Sequence, residues 1–374
     1  MEAIHILGLG NLGKYVAYAL MRRCQQTASI LAATGPAPTS RAITFPAPTL
    51  LFHRPGLLAD WEAAGRSIRC TSPTIGAGSP GAGESRAEGF HVEMLDGADD
   101  VTRQRSDGIK YLIVTTKAHA TAAALAPLRV RLNSNSHILF LQNGMGVSDE
   151  VSAKVFADQR TRPTYWTGIC SAGVYSEWPF TIVHAGRGPL TIGLSEPKSQ
   201  TRSDSYSQNP MAAQLLDAAM LETLVVPPDG ILEAQLRKLV INSVINPLTA
   251  LYNCKNGAVF DSAVARKVAD HLLEEAGVIV RAILCSRSEE PRSVAFAAFT
   301  DEKLREYVND VVQKTAKNTS SMLQDVQAGR PTEIDYINGY LVHQARILGL
   351  PHKQHEEVTQ LIKQRNHQEA TPST

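Results

Sequence analysis

Near the start of the chain, six residues leave little freedom of fold. Gly8-Leu9-Gly10-Asn11-Leu12-Gly13 lies between a short apolar run, Ile4 to Leu7, and a helical pattern from Lys14 to about Arg23. A strand, a glycine-rich turn and a helix in that order open a parallel α/β domain. In such a turn one glycine bends the chain tightly, the next lets backbone approach a pyrophosphate, and the third lets helix pack on strand. The helix N-terminus then offers unpaired N–H groups to the anion. Gly8, Leu9, Gly10, Asn11, Leu12 and Gly13 are therefore the expected dinucleotide loop; the bland alternative is a glycine turn with no ligand. The same stretch nearly spells a triphosphate loop, since Lys14 follows Gly13. Tyr15 then stands where a Ser or Thr is needed to hold Mg²⁺, which argues against that reading.

Which dinucleotide is bound depends on the end of the second strand. Thr49 to His53 reads as that strand, and Arg54 follows it with no Asp or Glu at the strand's end. A guanidinium pairs with a 2′-phosphate, whereas a carboxylate would repel it, so NADP is favoured over NAD. The alternative is an arginine that merely opens a loop. Lys117 follows a third strand, Lys110 to Thr116, and offers a second cation; Ile138 to Leu141 reads as a fourth strand. Helical stretches between these strands predict a doubly wound, Rossmann-like sheet. Residues 164–194 alternate like further strands, and the pattern turns helical beyond 211.

Leu304, Tyr307, Val308, Val311, Val312 and Thr315 share one helical face, in a helix expected to stop at Gly329 and Pro331. Thr332 and Asp335 have capping-box spacing for a last helix that ends near Gly349-Leu350-Pro351. The expected organisation is an α/β nucleotide-binding domain over 1–210 and an all-helical domain over 211–366. Loops are expected at 35–48, 68–106 (with a Gly/Ser/Pro-rich flexible insertion at 73–89) and 195–210, and a loose tail after Asn366.

Composition narrows the partners. Thirty-seven Lys and Arg against 36 Asp and Glu leave a formal charge of +1, so neither nucleic acid nor an anionic membrane surface is the expected partner. The five cysteines are widely spaced without a CxxC pair, which argues against a disulfide framework or a zinc cluster and for a reducing, cytoplasmic setting. No metal site and no membrane span are expected. The N-terminus enters a strand at once, and no targeting peptide is expected.

Two further stretches carry chemistry. Gln142-Asn143-Gly144-Met145-Gly146 follows the fourth strand. Lys238, Asn242 and Asn246 recur every four residues in a largely apolar helix, and so lie on roughly one face. Pro247 is expected to end or kink that helix at Asn246. A lysine on a buried helix needs an anionic partner, or its pKa falls; the alternative is a side chain that snorkels to solvent.

With these motifs the chain resembles the ketopantoate reductase (2-dehydropantoate 2-reductase) family. The resemblance rests on GLGNLG, QNGMG, KLVINSVINPLTALYNCKNG and SSMLQDVQAGRPTEIDYING, in that order over about residues 4 to 350. It implies a Rossmann-like domain followed by a helical one, and NADPH-dependent reduction of 2-dehydropantoate to (R)-pantoate, a step toward pantothenate and coenzyme A. It assigns Lys238 as catalytic lysine and substrate ligand, and Glu333 as an active-site glutamate. It assigns Asn143 a place beside the cofactor, Asn242, Asn246 and Asn256 to the substrate's hydroxyl end, and Ser321 to its carboxylate. Arg54 and Lys117 fall at the 2′-phosphate side. The bland reading of Glu333 is a first-turn carboxylate favoured by the helix dipole. A monomer or homodimer acting on a small 2-oxo acid is expected. The alternatives are a reductase of another 2-oxo acid and a non-catalytic NADP sensor, against which the retention of Lys238, the asparagines and Glu333 together speaks.

Overall fold

A computed structural model describes residues 2–34, 45–72, 85–95, 107–196, 207–287 and 294–370. By compactness these fall into two units. One comprises residues up to Gln142 and Val147–Ile231; the other comprises Asn143–Gly146 and the chain from Leu232.

The first unit is built on two sheets. Its strands are β1 (Ile4–Leu7), β2 (Thr49–Phe52), β3 (Ser67–Thr71), β4 (Ser85–Glu88), β5 (His91–Met94), β6 (Tyr111–Val114), β7 (His137–Phe140), β8 (Thr164–Cys170), β9 (Gly173–Trp178), β10 (Thr181–Gly186), β11 (Leu190–Leu194) and β12 (Leu224–Val225). The larger sheet has the order β12-β11-β8-β7-β6-β1-β2-β5 and is parallel from β5 to β8. Covered on both faces, β2 and β6 are buried at every residue and β1 and β7 at all but one histidine each, so these strands are mostly apolar, as parallel strands tend to be. The smaller sheet runs β4-β3-β10-β9.

Helix α1 (Asn11–Thr34) packs on β1 and on all four strands of the smaller sheet. That double cover explains why every residue from Tyr15 to Met21 is buried. The remaining helices of this unit are α2 (Pro55–Ala63), α3 (Thr121–Leu125), α4 (Val147–Lys154) and α5 (Pro210–Asp217), and α6 (Pro228–Tyr252) leads into the second unit.

The second unit is helical: most of α6, then α7 (Ala263–Arg287), α8 (Val294–Ala297), α9 (Asp301–Lys314), α10 (Ser321–Gln327), α11 (Asn338–Leu348) and α12 (Lys353–Ala370). Leu239, Val240, Val244 and Leu248 of α6 share one core with Leu272, Ala276 and Ile279 of α7, Leu341 of α11 and Ile362 of α12. No helix among the described residues is long and apolar enough to cross a membrane.

Several expectations are corrected. The stretch 68–106 is not a plain loop: it contains part of β3 and all of β4 and β5, and residues 73–84 and 96–106 lie outside the described residues. Both β4 and β5 are short, polar edge strands, so their sequences read as loop. In 195–210 the described end is ordered, with Asn209 Oδ1 accepting from Met211 N at 2.9 Å and Pro210 opening α5; 197–206 are not described. Of 35–48, residues 35–44 lie outside the described residues.

The helix with the Leu304 face stops at Lys314, well before Gly329, and a new helix, α10, starts at Ser320's hydroxyl cap. The expected capping box at Thr332 is replaced by a 3₁₀ turn, Ile334–Tyr336, ahead of α11, whose end at left-handed Gly349 is as read. Helix α12 continues past Asn366 to Ala370. Helix α6 does not end at Pro247 either. Proline removes the N–H that would bond the carbonyl of Ser243, and a side chain from α11, Asn338 Nδ2, donates to that carbonyl at 2.9 Å.

Candidate active site

In the first unit the expected cofactor residues gather at one edge of the sheet. Gly8 follows β1, Arg54 follows β2 and Lys117 follows β6, and these three strands are parallel neighbours. Strand order reverses between β1 and β6, the place where open α/β sheets bind ligands beyond their carboxyl ends. The turn is shaped by its glycines. A Cβ on Gly13 would overlap the Gly8 carbonyl oxygen, and one on Gly8 would lie 2.6 Å from Thr116 N. A Cβ on Gly10 would meet nothing within 4 Å, so the loop presents open space just where a pyrophosphate must approach. The first helical bond, Lys14 N to Gly10 O at 3.0 Å, leaves the N–H groups of Asn11, Leu12 and Gly13 at the free end of α1. These residues fit a dinucleotide.

Three features of this edge escaped the sequence reading. Thr115 ties the turn down: its hydroxyl donates to Gly8 O, and its N–H to Leu7 O at 2.8 Å. Gln142 Nε2 donates to Thr121 Oγ1 at 3.1 Å, anchoring the start of the QNGMG stretch. Lys14 donates to Ser176 Oγ on β9, and that hydroxyl in turn donates to Asn11 Oδ1 of the turn at 2.7 Å. Burial there lowers the pKa of Lys14 to about 8. Arg54 is exposed and caps α2 through its backbone carbonyl, which accepts from Leu57 N at 3.1 Å.

In the second unit, Asn143 and Glu333 meet. Asn143 Nδ2 donates to Glu333 Oε2 at 3.2 Å, and Glu333 is 5% exposed. The loop Asn143–Gly146 is fastened beside this contact by Met145 N, which donates to Tyr336 O at 2.8 Å. Lys238, Asn242 and Asn246 all lie on α6, the first two half-buried and the third buried.

Asn256 is buried just beyond α6 and donates from Nδ2 to Thr315 Oγ1 at 2.9 Å. Its Oδ1 is buried without a partner among the described residues, so its acceptor remains available for a donor. Ser321 is exposed in the first turn of α10. Its neighbour Ser320, which the sequence reading passed over, is buried, caps that helix through Leu323 N at 3.1 Å and meets Thr249 Oγ1 of α6 at 2.6 Å. The doubled serine was the available signal. No cluster of three or more His, Cys, Asp or Glu side chains suited to a metal occurs among the described residues.

A family model described as "Ketopantoate reductase PanE/ApbA" matches residues 48–197, and one described as "Ketopantoate reductase PanE/ApbA C terminal" matches residues 230–366. A probable 2-dehydropantoate 2-reductase of Schizosaccharomyces pombe is 32% identical over 72% of this chain and 77% of that protein. The 2-dehydropantoate 2-reductase of Saccharomyces cerevisiae is 27% identical over 93% of this chain and 89% of that protein. Among solved structures, a ternary complex of D-mandelate dehydrogenase with NADH and anilino(oxo)acetate superposes with a TM-score of 0.72 over 99% of this chain and all of that one. At 16% identity that likeness concerns the fold alone.

Proposed function

The chain belongs to the ketopantoate reductase family, and from that premise we propose that it reduces 2-dehydropantoate to (R)-pantoate with NADPH as reductant and Lys238 as proton donor. The observation that carries the reading is the row Lys238, Asn242, Asn246 along α6, in the same unit as the paired Asn143 and Glu333. The glycine loop and the start of α1 take the pyrophosphate. Arg54 and Lys117, beyond the neighbouring strands, take the 2′-phosphate. A reducing, cytoplasmic setting accords with five cysteines that form no CxxC pair.

When bound, the reduced nicotinamide supplies the hydride that adds to C2 of the 2-oxo acid. Lys238 holds its ammonium at the C2 oxygen, meets the negative charge that develops there, and passes a proton to that atom. Asn242 and Asn246 lie one and two turns farther along the helix. They are neutral amides, unable to protonate an alkoxide but suited to the substrate's hydroxyl end, where Asn256 adds an acceptor. Ser321 offers a hydroxyl to the carboxylate. Glu333, accepting from Asn143, fixes the amide that stands beside cofactor and substrate.

The test is Lys238→Ala. Its kcat should fall about 10²- to 10⁴-fold, the usual contribution of a general acid, while NADPH affinity stays near wild type. A variant that binds NADPH normally and turns over within a few-fold of wild type would remove Lys238 from the chemistry.

A further inference from the structure

We propose that Asn338 is a positioning residue for this reaction: its side-chain amide replaces the helix hydrogen bond that Pro247 deletes from α6, and so keeps Asn246 in register with Lys238 and Asn242. The inference rests on the assignment of those three residues to the substrate.

Pro247 lies inside α6, where residue 247 would donate its N–H to the carbonyl of Ser243. Ser243 is fully buried, so no bulk water reaches that carbonyl. Asn338, also fully buried, opens α11 and donates from Nδ2 at 2.9 Å. The orientation of this amide is forced, because a carbonyl oxygen only accepts. The amide keeps it although its Oδ1 then has no partner among the described residues.

Its second hydrogen has a definite destination. His355 Nδ1 lies 3.0 Å from Asn338 Nδ2, and His355 Nε2 lies 3.1 Å from Leu272 O. With Nδ1 accepting, the proton of a neutral imidazole sits on Nε2 and goes to that carbonyl. The backbone N–H groups of Gln354 and His355 are held by Glu275 of α7 at 3.1 and 2.9 Å. An unbroken buried chain thus runs from α7 through His355 and Asn338 to the carbonyl inside α6 whose helical donor Pro247 removes. The gap lies between Ser243 and Pro247, upstream of which stand Lys238 and Asn242 and within which stands Asn246. Without the amide, the part of α6 that carries Asn246 is free to shift against the part that carries Lys238.

The prediction is a split in the kinetics. Asn338→Ala should raise KM for 2-dehydropantoate about tenfold, the size of one hydrogen bond's worth of lost binding, with kcat within about threefold and NADPH affinity unchanged. In a Pro247→Ala background residue 247 regains its N–H, and adding Asn338→Ala there should change KM less than about twofold. Melting temperatures of the same four proteins should show the same coupling. If Asn338→Ala does not fold alone, Asn338→Leu, which fills the same space but carries no donor hydrogen, goes through the same cycle under the same criteria. An unchanged KM, an equal KM rise in both backgrounds, or coupling in melting temperature with none in KM each overturns the positioning role. Failure of the wild-type protein to reduce 2-dehydropantoate overturns the functional reading instead, so the two failures are told apart.

Discussion

Gly144→Ala should uncouple the Asn143 loop from the rest of the second unit at modest cost to the fold. Gly144 has φ +83°, a left-handed conformation that costs an alanine about 1–2 kcal/mol. The added Cβ would overlap Tyr336 O and lie 2.7 Å from Tyr336 C, both backbone atoms that cannot swing aside. The loop must therefore lift. Lifting breaks the bond from Met145 N to Tyr336 O, worth about 1 kcal/mol, and that from Asn143 Nδ2 to the Glu333 carboxylate, worth about 2 kcal/mol because a charged acceptor is involved. The two together amount to about 3 kcal/mol, or about a hundredfold in the population of the docked loop. Steady-state kinetics with 2-dehydropantoate and NADPH should show kcat/KM down by about that factor, beside a far-UV circular dichroism spectrum that matches wild type. A variant within threefold of wild-type kcat/KM would refute the claim that docking of Asn143 on Glu333 serves turnover.

Cofactor choice should follow Arg54: kcat/KM with NADPH should exceed that with NADH about ten- to a hundredfold in wild type, and Arg54→Ala should erase most of the difference; equal use of both cofactors by wild type would remove Arg54 from recognition. Glu333→Gln keeps an oxygen able to accept from Asn143 Nδ2 and should lose less kcat than Lys238→Ala; a glutamine variant as inactive as the alanine one would move the proton chemistry to the glutamate. Full burial lowers the pKa of His355 from 6.5 to about 4, so the unfolded chain takes up a proton that the folded protein resists. Stability is therefore full above pH 6.5 and falls as pH drops toward 4, by about 3 kcal/mol from this group. Urea midpoints across that range should fall less in His355→Gln than in wild type, and parallel curves would contradict the neutral, accepting imidazole.

What could be read from the sequence divides along physical lines. The central strands were legible because parallel strands covered on both faces leave unbroken apolar runs such as Tyr111–Val114. Edge strands β4 and β5 and the two-residue β12 were not, since their residues are polar or few and only their neighbours define them. The glycine loop was legible because its steric demands are local, whereas its fastening by Thr115 depends on a strand that joins it through the sheet. Pro247 misled for the converse reason. Locally it ends helices, and the donor that lets α6 continue comes from 95 residues away. The motif order placed Asn143 and Glu333 in one family pattern, yet nothing local shows that side chains 190 positions apart touch.

The most direct test of the account is consumption of NADPH by the purified protein with 2-dehydropantoate, set against a panel of 2-oxo acids that lack the hydroxymethyl end or carry an aromatic group in its place. In the proposed site the α6 row pairs an ammonium for the ketone with amides for a hydroxyl, so kcat/KM should be highest for 2-dehydropantoate and fall when the hydroxyl is removed. Equal or better turnover of an acid without that hydroxyl, or no turnover of 2-dehydropantoate at all, would contradict it.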